Sequence, residues 1–164
     1  MNIFLNAVDK LISVVAVELE QLGVANSTSQ LDRQHFIECK ESPVDCLQSY
    51  KFPMFTPHRN LSFSETKKQF GNYVIFGSDP VYDNLYAQDL GRKNQIVVID
   101  QQSGSVIYIC ARCFNSFLAA FAVLIDRDVA NRTEYKVPSD MWIDQAATQA
   151  GGAEYRSFYE FVIA

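Results

Sequence analysis

The stretch NYVIFGSDPVYDNLYAQDLGRKNQIVVIDQQSGSVIYIC, residues 72–110, decides the fold. Four β-rich runs follow one another in it: Asn72–Phe76, Leu85–Leu90, Gln95–Asp100 and Ser105–Cys110. Turn residues separate them, namely Gly77-Ser78-Asp79-Pro80, Gly91-Arg92-Lys93-Asn94 and Gln101-Gln102-Ser103-Gly104. Connections this short join only antiparallel neighbours, so the runs predict a four-stranded meander. Ile96-Val97-Val98-Ile99 is apolar at successive positions and therefore on both faces of its strand, which places it centrally in the sheet. Helices or loops are expected over one face, with the aromatic segments near the other.

Helices flank this sheet on both sides in the sequence. Upstream, Phe4, Val8, Leu11, Val15, Leu19 and Leu22 are spaced by steps of four and three, the pattern of a helix with one buried face, and Gly23 supplies a stop. Downstream, Phe114, Phe117, Leu118, Phe121, Leu124 and Ile125 recur at helical spacing. Asn115 or Ser116 is placed to cap that helix, and Asp126 to Asp128 to mark its exit. Trp142, Ile143, Ala146 and Ala147 predict a short helix closed by Gly151-Gly152, and Tyr155, Phe158, Tyr159 and Val162 predict another. Between the first helix and the sheet the chain reads less regularly: a polar connector at 26–29, a short helix at 44–50, and an extended segment at 51–63 containing Pro53 and Pro57. The fold class is α+β, a central mostly antiparallel sheet over about residues 72–110 with N-terminal and C-terminal helices on it, and 1–164 reads as one domain.

Composition narrows function more than it defines it. Of the 164 residues, 48% are hydrophobic and 20% charged, which excludes disordered and fibrous classes. A net charge of −5 argues against direct nucleic-acid binding through phosphate neutralisation and favours a basic partner. No apolar run reaches the length of a membrane span, and Asp9 and Lys10 interrupt the region where a signal peptide would carry its apolar stretch. A cytoplasmic location follows as the expectation, with Cys39, Cys46, Cys110 and Cys113 as free thiols.

Few residue patterns point to catalysis. Cys110-Ala111-Arg112-Cys113 is a CxxC between a strand and a helix, the position of a thiol oxidoreductase motif, but the surrounding meander lacks the βαβ unit that such a site needs. Cys39 and Cys46 are too widely spaced for a zinc site, so neither a metal nor a cofactor is expected. His35 and His58 read as surface residues without a motif beside them, and the pairs Asp79/Asp83 and Asp126/Asp128 read as turn carboxylates. What remains is the loop 78–84 with the Tyr86 that follows it. Asp79, Tyr82, Asp83 and Tyr86 combine acid and aromatic side chains at one end of the sheet, a composition suited to gripping a basic protein.

The order of features from Tyr73 to Leu124 resembles the SUKH superfamily, which holds bacterial immunity proteins against polymorphic toxins and fungal cell-wall synthesis regulators. The likeness lies in a strand running into a Gly-x-Asp turn (Tyr73 to Asp79) and a second strand ending in an acid (Leu85 to Asp89). An apolar third strand follows, and then a strand leading to the Ser-Phe helix start at Ser116-Phe117. The resemblance implies an α+β fold without an active site, whose sheet and loops bind and block a toxin, often a nuclease. The expected function is thus a non-enzymatic immunity protein with a cognate protein toxin as partner and no membrane partner. A regulatory interaction domain and a Cys110/Cys113 thiol oxidoreductase are the alternatives.

Overall fold

The structure, a computed structural model, describes residues 2–21, 55–132 and 138–164. Helix α1 spans Asn2–Gln21 and is followed among the described residues by six strands: β1 Phe55–His58, β2 Leu61–Phe70, β3 Tyr73–Asp79, β4 Asn84–Asp89, β5 Gln95–Asp100 and β6 Val106–Ala111. The chain then forms helices α2 Phe114–Arg132 and α3 Ser139–Ala150, a 3-10 turn at Ala153–Tyr155, and helix α4 Arg156–Ile163. The strands pair antiparallel in sequence order, β1-β2-β3-β4-β5-β6, so the molecule is α+β with an open meander at its centre.

Four of these strands are the expected ones, and the sheet is two strands wider than the sequence predicts. The segment 51–63, expected to be extended but irregular, instead supplies β1 and the start of β2, with His58 opposite Leu61 across a tight turn. β2 carries the hairpin onto β3, where Phe63 faces Gly77. A side chain at Gly77 would place its Cβ 2.6 Å from the Ser62 carbonyl oxygen, so glycine is what lets β2 and β3 close here. Gly77-Ser78-Asp79 is therefore the end of β3 rather than a turn, and the turn falls at 80–83. The expected short helix at 44–50 lies outside the described residues.

The four helices of the described residues pack on one face of the sheet. Phe63, Val74, Phe76, Tyr86, Ile96 and Val98 from the strands share a single core with Phe4 and Val8 of α1, Phe117, Leu118 and Phe121 of α2, and residues of α3 and α4. Phe63 sets its ring against Phe4 and Phe76, on the helix side, which corrects the expectation that the aromatic segment covers the opposite face. α2 begins one residue earlier than its expected caps and runs on to Arg132, so Asp126 and Asp128 are helical residues and not an exit turn. Each has a partner that holds it there: Asp126 meets Lys10 of α1 at 2.9 Å and Asp128 meets His58 of β1 at 3.3 Å. α3 ends where Gly151, with φ at +132°, turns its N–H back to the carbonyls of Ala147 and Thr148. The other face holds a smaller cluster of Ala87, Val97 and Ile99, surrounded by Tyr73, Ile75, Leu85, Val106 and Ile109, all from strands. β5 thus turns Ile96 and Val98 to the helices and Val97 and Ile99 away from them.

Candidate interaction surface

The β3–β4 loop is built from beneath by one carboxylate. Pro80 fixes the backbone after β3, and the Asp79 carboxylate accepts the N–H of Val81 at 2.8 Å and of Tyr82 at 3.3 Å. The Asp79 carbonyl takes the Asp83 N–H at 2.9 Å, and Asp83 adopts the left-handed conformation (φ 58°) that an Asp side chain tolerates better than most. From the opposite side the Asn60 side-chain amide donates to both Asp79 oxygens at 3.3 Å. Asp79 is 1% exposed, so its charge is spent inside the protein on these four donor contacts.

The consequence is an apolar tip held in place. Val81 and Tyr82 are about half exposed despite their size. The Tyr82 ring lies 4.6 Å from Phe161 of α4, and Phe161 stacks on Tyr108 of β6 at 5.2 Å. Loop, helix and strand edge therefore present one aromatic strip, with the exposed Asp83 carboxylate next to it in the chain and Arg59 reaching the Val162 carbonyl at 3.4 Å on the α4 side.

The four residues singled out from the sequence thus divide. Tyr82 and Asp83 are exposed. Asp79 and Tyr86 are buried: Tyr86 is fully covered, stacks on Phe76, meets Phe117 at a tilt, and donates its hydroxyl to the Asn60 carbonyl at 2.8 Å. Alternation along β4 accounts for Tyr86, which points to the helices while Leu85 points to the other face, and the Asn60 and loop N–H contacts account for Asp79. Burial raises the Tyr86 phenol well above its ordinary value, with the Cys110 and Asp79 charges acting the same way. Phe161 and Tyr108 were not picked out from the sequence. The available signal was Phe161 itself, which falls off the buried stripe Tyr155, Phe158, Tyr159 and Val162.

The remaining chemically notable groups lie elsewhere. Cys110 is fully buried, and burial pushes its thiol up. Cys113 precedes the first residue of α2, where its carbonyl accepts the Phe117 N–H at 3.0 Å and its sulfur lies 3.4 Å from the Ser116 hydroxyl. Burial raises the Cys113 thiol, but the Ser116 hydroxyl, the N–H groups of Ser116 and Asn115 and the Arg112 charge outweigh it and bring the thiol below its ordinary value. Cys113 rather than Asn115 or Ser116 therefore occupies the capping position. Both cysteines are free thiols; Cys39, Cys46 and His35 lie outside the described residues. Among the described residues no group of three or more His, Cys, Asp or Glu side chains converges as a metal site, and no helix is long and apolar enough to cross a membrane.

His58, expected at the surface, is buried against the Phe121 ring at 5.6 Å. Its Nδ1 accepts the Asn60 N–H at 3.1 Å and its Nε2 lies 3.3 Å from Asp128 Oδ2. Burial pushes the Asp128 carboxyl up, yet the hydrogen bond from His58, with the Arg127 and Arg59 charges nearby, holds it below the ordinary carboxylate value. Compared with models of known protein families, with curated proteins and with solved structures, the chain finds no match.

Proposed function

We propose that this chain is a non-catalytic binding protein of the immunity type, which neutralises a basic protein toxin by seating it on the β3–β4 loop and the Tyr82–Phe161–Tyr108 strip. The observation that carries the reading is the half-exposed pair Val81 and Tyr82 on a loop whose backbone is tied to a buried carboxylate. Large apolar side chains held out in water cost the free protein, and a pre-ordered loop loses little entropy on binding, so the arrangement suits a contact surface. Asp83 and the net charge of −5 fit a basic partner, and they would steer its approach. The SUKH-like order of strands and helix start supports the same class. A cytoplasmic location is part of the same proposal.

The test is co-expression with the product of the neighbouring gene, followed by hydrogen exchange on the complex. Slowed exchange at 80–84 and in α4 supports the reading, whereas a complex protected only elsewhere, or no complex, contradicts it. The lowered Cys113 thiol favours a second reading, thiol redox chemistry with Cys110. Thiol titration of the native and the denatured protein separates the two. A Cys110–Cys113 disulfide that forms and is reduced reversibly supports the oxidoreductase, and thiols that stay free under mild oxidation support binding alone.

A further inference from the structure

A continuous run of hydrogen bonds leads from α2 to the proposed binding loop, and one member of it is a histidine, the side-chain type that can gain a second proton near neutral pH. Asp128 accepts from His58 Nε2, His58 Nδ1 accepts from the Asn60 backbone N–H, the Asn60 side-chain amide donates to Asp79, and Asp79 holds the N–H groups of Val81 and Tyr82. In this arrangement Nε2 carries the ring proton and Nδ1 offers a lone pair, so the imidazole is neutral. A second proton makes Nδ1 a donor facing the N–H it now accepts, and that contact cannot survive. Asn60 Oδ1, two residues on in the same turn, is buried and has no hydrogen-bond partner. It is an acceptor without a donor, in a residue that already touches the ring nitrogen about to become a donor without an acceptor.

We propose that His58 is a proton-operated switch on the β3–β4 loop: protonation at Nδ1 draws Asn60 Oδ1 toward the ring and withdraws the Asn60 amide from Asp79. The proton comes from solvent as the contact between Nδ1 and the Asn60 N–H opens, while Nε2 keeps its own proton on Asp128, whose carboxylate is 29% exposed against 2% for the imidazole. Asp128 of α2 then forms an ion pair with the imidazolium. Arg127, 3.8 Å from Asp128, and Arg59 on the turn compete for that carboxylate, and Asp79 and the Tyr86 hydroxyl bound to the Asn60 carbonyl lie on the Asn60 side. With one brace removed from Asp79, the N–H groups of Val81 and Tyr82 are held less firmly and the aromatic tip loosens. The effect on a partner, weaker binding in acid, rests on the loop being the binding site; the switch itself does not.

The experiment is NMR on the free, full-length chain between about pH 8 and about pH 5, the span in which histidines change charge. The ring nitrogens of His58, the Asn60 side-chain amide and the backbone N–H groups of Val81 and Tyr82 should titrate together. Exchange protection of those two N–H groups, corrected for the intrinsic pH effect, should fall by about tenfold, on the order of one lost hydrogen bond. His58→Gln should abolish the response. Asn60→Ala, which serves if His58→Gln does not fold, should leave His58 titrating while Val81 and Tyr82 no longer follow it. A ring that stays neutral to about pH 5, a ring that titrates without moving the loop, or a loop response that persists in His58→Gln each overturns the switch. No partner is present, so the result is independent of the binding test: a loop that switches but meets no toxin removes the proposed function and leaves the device standing.

Discussion

The two faces of the sheet are both apolar, but they are filled in different ways. Toward the helices, Phe63, Phe76 and Tyr86 interlock with Phe117, Phe121 and Phe158, and ring centroids lie 4.7 Å apart for Phe117 and Phe121 and 5.0 Å apart for Phe76 and Phe114. On the other face Ala87, Val97 and Ile99 pack, among the described residues, against short aliphatic neighbours and Tyr73. Large rings on the first face let each residue touch several elements at once, whereas on the second the packing neighbours among the described residues all come from strands. A truncation on the first face should therefore open a cavity bordered by several elements, and one on the second should cost little more than the lost methyl groups.

The largest effect follows from the first face. Phe121→Ala removes a ring in contact with Tyr86, Phe117, Phe158 and His58 and should cost about 3–5 kcal/mol in urea unfolding. A loss below about 1 kcal/mol, the range of surface changes, would show that α2 does not close this core. Val97→Ala on the second face should cost less, about 1–2.5 kcal/mol. Equal costs at the two positions would erase the contrast between the faces.

A smaller effect concerns pH. The folded protein holds the Asp128 carboxyl below its ordinary value, so the unfolded chain binds its proton first as the solution is acidified. Asp128 therefore contributes its full share of stability above the ordinary carboxylate value, and loses it as the pH falls through the lower folded value. Asp128→Asn should flatten the acid limb of stability against pH and leave the limb above neutrality unchanged. An acid limb of unaltered slope in the variant would mean that the His58 contact does not stabilise the carboxylate.

The contrast between the faces also shows what could be read from the sequence. The meander from Tyr73 to Ala111 was legible because clusters of Gly, Asp and Asn break it into runs of strand length, and α2 to α4 because their apolar residues keep helical spacing. β1 and β2 were not: Pro53 and Pro57 read as irregular chain, and Ser64-Glu65-Thr66-Lys67-Lys68-Gln69 has no apolar alternation to mark the second half of β2. Only pairing with β3 makes that segment a strand. At the loop, residue type was legible and direction was not. Asp79 and Asp83 look alike in sequence, and the donors that bury Asp79 include Asn60, which the β1–β2 turn brings to it. The burial of His58 depends in the same way on Asp128, far along the chain.

The smallest effect on stability and the largest expected effect on function coincide at Tyr82. Tyr82→Ala removes a half-exposed ring and should change unfolding free energy by no more than about 0.5 kcal/mol. The most direct test of the loop as the binding surface is the kinetics of toxin binding by wild type, Tyr82→Ala and Asp83→Lys as ionic strength is raised. The account predicts faster dissociation for Tyr82→Ala, slower association for Asp83→Lys, and a wild-type association rate that falls with salt. Association and dissociation rates indistinguishable from wild type in both variants would place the interface elsewhere on the molecule.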